Sequence, residues 1–156
     1  MASLASYGIV ATLPFGWDGR LYRRVPTAEG ELTTPVLHAA NFALPARSGD
    51  FGAGALETMH PWNAFVALLE YGPSSAGAAL FSSTGIPKSL SQADFSPGTL
   101  HRPLGGLVGA QRFFTEAGRP FTLYVVLGSV LGAGSLLVTV NRMLATLSIS
   151  APGGGS

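Results

Sequence analysis

From Pro120 to Asn141 the chain carries no charge, and Arg119 and Arg142 bracket the run, PFTLYVVLGSVLGAGSLLVTVN. A transmembrane helix needs about 20 mainly apolar residues, and residues 121–140 supply that length. The same run can instead form the dry interior of a folded domain, and its internal pattern favours this. Phe121, Leu123, Val125 and Leu127 alternate with Thr122, Tyr124 and Val126. Apolar residues on both faces predict a central strand covered on each side. Gly128, Gly132 and Gly134, with Ser129 and Ser135, then interrupt the run. Leu136, Leu137, Val140, Leu144 and Leu147 follow at helical spacing, so the pattern predicts a helix over 136–147 with Ser135 as its N-cap. Gly128-x-x-x-Gly132 also fits a membrane helix-packing motif. A single-span anchor through residues 121–140 is therefore kept as an alternative, although membrane contact is not the expectation.

The segment before this run is its partner. LVGAQRFFT and RPFTLYVVL flank Glu116-Ala117-Gly118, and a short Gly-containing loop between β-rich runs predicts a hairpin. Upstream, residues 7–13 and 20–25 predict an early antiparallel pair with Trp17 at its mouth. Residues 36–44 predict a third strand, 55–59 a strand or helical turn, and 63–71 a further strand ended by Gly72-Pro73. Ser75 to Phe81 allows a short helix. The remainder of 73–105 reads as an extended loop on the domain surface, the kind of long loop that often carries function. SIS at 148–150 predicts a short terminal strand. The expected fold is α+β: one domain over 1–150, an antiparallel sheet of about five or six strands, and the C-terminal helix packed on one face. Residues 151–156, APGGGS, read as a flexible tail or linker.

Composition narrows the function classes. Charged residues make up 11% of the chain, against about 25% in ordinary globular domains. Surface buried against a partner, a membrane, or a surface rich in Ser, Thr and Gly would each account for that. Net charge is +1, and the basic residues cluster only at Arg20, Arg23 and Arg24, so a nucleic-acid partner is not expected. Cysteine is absent, which excludes disulfides, thiolate nucleophiles and zinc–thiolate sites. The opening MASLASYGIVATLP has no basic n-region and no long apolar h-region, so a cytoplasmic location is expected.

YGIVATLPFGWDGRLYRR, VLHAANFALP, NAFVALLEYGP, GAQRFFTEAGRPFTLYVVLGS and VNRMLATLSI together resemble a family of small uncharacterised actinobacterial proteins. The resemblance runs from Tyr7 to Ile149 and implies no activity. The opening strand with Leu-Pro and Gly-Trp, and the closing helix and strand, are also similar to the Mog1/PsbP-like α/β sandwich. That likeness implies an antiparallel sheet with helices packed on it and a binding or assembly role.

No residue set spells out a reaction. The three histidines, His38, His60 and His101, include no i, i+4 pair of the helical metal-site kind. His38 lies in an apolar strand and reads as a satisfied core histidine. His60, in Met59-His60-Pro61-Trp62, sits in a turn beside an aromatic. Glu29 and Glu31 are close but lie in a polar loop, which does not separate their pKa values as acid/base work requires. Glu70 ends an apolar run and reads as a sheet-edge carboxylate, with Arg112 as a possible partner if it turns inward. Gly72-Pro-Ser-Ser-Ala-Gly77 lacks the G-x-S-x-G spacing of a nucleophile turn, and no phosphate loop or dinucleotide fingerprint occurs. The binding candidates are Trp17, Phe51, His60, Trp62 and His101. No catalytic residue, metal ligand or cofactor is assigned. The leading expectation is a non-enzymatic protein-binding or assembly module acting on a protein partner or on copies of itself. A small enzyme with its site around His60 and His101 is the second alternative.

Overall fold

Alternation and turn chemistry place eight strands and one helix along residues 1–152, the residues described by the structure, a computed structural model. In order they are β1 (Ala2–Ser6), β2 (Ile9–Leu13), β3 (Asp18–Arg23), β4 (Pro35–Ala40), β5 (Ala64–Glu70), β6 (Val108–Glu116), β7 (Arg119–Leu127), α1 (Ala133–Leu144) and β8 (Ser148–Ile149). Two-residue turns close the hairpins β1–β2 and β6–β7, with positive φ at both central residues: Tyr7 and Gly8, then Ala117 and Gly118. Such primed turns match the right-handed twist of the strands they join.

The architecture is α+β with two antiparallel sheets rather than the expected single sheet. Five strands run in the order β3-β4-β5-β7-β6, and three in the order β1-β2-β8. The expected pairing of residues 7–13 with 20–25 does not occur: β2 pairs β1 and β8, while β3 pairs β4. The reason lies in β1, whose Ala and Ser side chains are all exposed and whose single larger side chain, Leu4, is half-buried against the core. Its pairing rests on the backbone, so no side-chain alternation announces it. β2 instead buries Ile9, Ala11 and Leu13 in the main core.

One face of the five-stranded sheet carries Leu37, Val66, Leu68, Leu123 and Val125 against α1 and the small sheet. The opposite face carries Val36, Phe65, Ala67, Tyr124 and Val126, covered by Leu44, Leu56, Leu100 and Leu107 from loops. β7 is buried along its whole length, as a central strand covered on both faces should be. The uncharged run thus divides at its glycines into a strand and a helix. No helix among the described residues is long and apolar enough to cross a membrane.

α1 begins three residues before the expected start. Gly132 occupies the N-cap, and its N–H donates to the Ser129 hydroxyl at 3.0 Å. Ser135 is an exposed residue inside the helix rather than its cap. The helix ends at Leu144, and Leu147 reaches the core from the turn beyond it. Residues 73–105 form single 3₁₀ turns and extended chain, consistent with a surface loop. They also shield the outer edge of β6 through bridges from Thr84 to Thr115 and from Ser96 to Gly109, a usual way to protect an open strand. Asn141 anchors this segment to α1: its side chain accepts from the Leu90 N–H and donates to the Leu90 carbonyl. Of the expected 151–156 tail, residues 153–156 lie outside the described residues.

Candidate functional site

Three groups of side chains merit a functional reading, and the first proves structural. His38 is fully buried on β4, between the rings of Tyr22 and Phe65. Its Nε2 lies 2.8 Å from the Asp50 carbonyl, which can only accept, so Nε2 carries the proton. Nδ1 then accepts from the Ser48 hydroxyl at 3.3 Å. The Tyr22 hydroxyl donates to the Asp50 carboxylate, and burial with the nearby Asp50 charge pushes that phenol up to about 12. This network pins the 45–52 loop onto the sheet.

Burial also holds the His38 imidazole below its ordinary 6.5, and Asp50 only partly offsets this. The unfolded chain therefore takes up a proton as pH falls through about 6.5 that the folded chain refuses. The predicted result is a loss of stability below that pH, with a slope reaching at most about 1.4 kcal/mol per pH unit from this group. Urea unfolding between pH 7 and 5, paired with His38 ring titration by NMR, checks this. A ring that titrates at or above its ordinary value would contradict it.

The second group lies at one end of the five-stranded sheet, where β5 begins and β7 ends. The turn His60-Pro61-Trp62-Asn63 is closed by Asn63 N–H to the His60 carbonyl at 3.0 Å, and by His60 N–H to the Asn63 side chain at 2.8 Å. Asn41 binds it from β4's end, donating to the Trp62 carbonyl at 3.0 Å. Segment 128–132 holds it from the other side: Gly128 N–H donates to the Asn63 carbonyl at 2.8 Å, and the Ser129 hydroxyl to the Pro61 carbonyl at 3.1 Å. On this fixed base the His60 and Trp62 rings stack at 4.8 Å with an interplanar angle of 4°. Trp62 remains 66% exposed, and on the adjoining segment Val130 is 62% and Leu131 100% exposed. Phe15, also exposed, lies on the turn that enters β3 at the same end of the sheet.

The third group surrounds an open cavity of about 160 Å³ on the loop-covered sheet face, between the loop carrying Phe51 and Leu56 and the segment carrying Leu100 to Leu104. Tyr124 also lines it. Phe51 packs on His101 at 4.4 Å and meets Tyr124 edge-on at 5.4 Å. Burial raises the Tyr124 phenol, and a backbone hydrogen bond at His101 partly opposes that. At the rim Arg102 pairs with Glu57. The Gly54 N–H, donating at 2.9 Å, is the main reason that the Glu57 carboxyl stays below its ordinary range.

The five sequence candidates thus separate. His60 and Trp62 stack on each other, while Phe51 and His101 meet at the cavity. Trp17 packs half-buried against the main core. His60 and His101 belong to different aromatic stacks and share no ring contact. Among the described residues no three His, Cys, Asp or Glu side chains gather to hold a metal. Sequence reading missed Val130 and Leu131, which look like members of the packed run but ride on an exposed turn before α1. It also missed Tyr124 as a cavity wall, because strand alternation gives a residue's face and not what covers it. Asp50, Glu57, Glu70 and Asp94 pair with arginines. Glu70, expected as a sheet-edge carboxylate with Arg112 as its partner if it turned inward, is mostly buried and pairs with Arg119, while Arg112 pairs with Asp94.

Fold and surface together define an α+β domain with a five-stranded antiparallel sheet, a loop-built cavity on one face, and an exposed aromatic–aliphatic end. The chain matches no family model, no curated protein and no solved structure in the comparisons.

Proposed function

We propose that the chain is a non-enzymatic protein-binding or assembly module that docks another protein surface, a second copy included, through its His60–Trp62 and Val130–Leu131 end. The observation that carries this reading is the Trp62 indole, stacked flat on His60 and left mostly in solvent on a turn bonded from both sides. A rigid exposed aromatic loses little conformational freedom on binding, and Trp is enriched among residues that dominate interface energy. Leu131 and Val130 extend the apolar area, and interface centres are depleted of charge, as this chain is throughout. A cytoplasmic location, with no cofactor and no nucleic-acid partner, belongs to the same proposal.

Trp62→Ser combined with Leu131→Asp tests it, because both side chains are exposed and their loss leaves the core intact. Loss of an aromatic anchor costs about 2 kcal/mol or more, so association should weaken roughly 30-fold. Light scattering of the wild type should show mass rising with concentration, or a partner should be recovered from native cells; either signal should be lost in the double variant. A clean monomer at high concentration, with no partner recovered, would overturn the proposal.

A further inference from the structure

We infer that the cavity walled by Phe51, Leu56, Leu100, His101, Leu104 and Tyr124 is a binding site for a small uncharged molecule carrying one aromatic ring. The space of about 160 Å³ beside these leucines opens to solvent, and what defines it is how its walls are anchored. Each loop wall is fixed to the sheet from behind. Arg20 donates to the carbonyls of Pro45 and Ala46, and His38 and Tyr22 hold Asp50. Gly52 lies so close to the sheet that an added Cβ would stand 2.8 Å from the Phe65 ring. On the other side, the bridge from Ser96 to Gly109 ties the chain just before Leu100 to β6, and Leu107 N–H closes a turn onto the Leu104 carbonyl. The walls are therefore preformed, and they meet where Phe51 packs on His101 and Arg102 pairs with Glu57.

Size and chemistry select the occupant. An apolar cavity of about 150 Å³ accepts a benzene-sized molecule. Phe51, His101 and Tyr124 provide ring surfaces for stacking or edge contact. The rim carries one positive and one negative charge, and these are spent on each other in the Arg102–Glu57 pair. A neutral rim favours a neutral ligand: a carboxylate would have to compete with Glu57 for Arg102. The wall residues His101 and Tyr124 both carry polar groups that can meet a ligand hydroxyl, which makes phenol the simplest probe. The inference does not rest on the Trp62 end: the two sites share no residue.

Amide NMR titration of the full chain with phenol and with benzoate tests it. Phenol should give saturable shifts among residues 51–57 and 100–104 at millimolar concentration or below, with benzoate at least tenfold weaker. Ala53→Phe, at an exposed lining position, and Leu104→Trp each fill the space, and whichever retains the native spectrum should weaken phenol at least tenfold. Non-saturating shifts, saturable shifts confined to residues 60–62 and 128–132, or benzoate binding as tightly as phenol would overturn it.

Discussion

Gly128→Ala lowers the unfolding free energy by about 3 kcal/mol or more, the upper part of the range for a forced backbone shift in a packed site. A Cβ at this position would stand 2.0 Å from the His60 carbonyl oxygen and 2.8 Å from the Pro61 carbonyl carbon. Both are backbone atoms, so no side-chain rotation relieves the clash. Moving the 60–63 turn away also breaks the Gly128–Asn63 hydrogen bond and the Ser129–Pro61 bond. For a chain of this size about 3 kcal/mol corresponds to a melting temperature roughly 10 °C lower. Gly134→Ala is the internal comparison. Gly134 lies inside α1, and its added Cβ would meet only the mobile tip of Gln92. Alanine there gains roughly a few tenths of a kcal/mol in helix propensity, less than in a helix interior because Gly134 is the second helical residue. Opposite signs for these two substitutions show that Gly128 is selected by close approach rather than by a general tolerance of glycine. Equal and small effects at both positions would contradict the packing described for the 60–63 turn.

Arg119→Met destabilises the chain by about 3–5 kcal/mol, the usual consequence of stranding one partner of a buried ion pair. Arg119 and Glu70 are only 7% and 14% exposed at their side chains, and they meet in two parallel bonds of 3.0 and 2.6 Å. Arg119 further donates to the Ser150 carbonyl at 3.0 Å and lies over the Phe121 ring. It therefore fastens the chain just after β8 to the start of β7. Glu70→Leu added to Arg119→Met should recover most of the loss, because an apolar pair of similar volume replaces a buried ion pair at little cost. Urea unfolding of the two single variants and the double variant measures the coupling. A double variant as unstable as the sum of the singles would contradict the assignment of these residues as partners.

The two ends of the chain show what a sequence reading reaches. β7 and α1 were legible because burial leaves a period: two-sided apolar residues along Phe121–Leu127, then a one-sided stripe through Leu137, Val140 and Leu144. The β6–β7 hairpin was legible from Gly118. β1 was not, because Ala2–Ser6 exposes small side chains and pairs through its backbone; the second sheet was missed with it. The Glu70–Arg119 pair was not legible, and Glu70 reads as a sheet-edge carboxylate, because its partner depends on register. Glu70 stands opposite Phe121, which sets it near Arg119 at the start of β7. His60 and Trp62 were named from residue type alone. Their stacking, and the exposed Val130 and Leu131 beside their turn, depend on how the 128–132 segment crosses the sheet end, and no local pattern encodes that crossing.

The central claim is that this end of the sheet is an interface, and a photo-crosslinking residue at position 131 probes it most directly. Leu131 is fully exposed, and Leu80, 57% exposed on the 79–81 turn, provides a control position. Irradiation in native cells should give a discrete higher-mass adduct, a dimer or a complex with one partner, from position 131 and none from position 80. No adduct at 131, or equal adducts at both positions, would contradict the account.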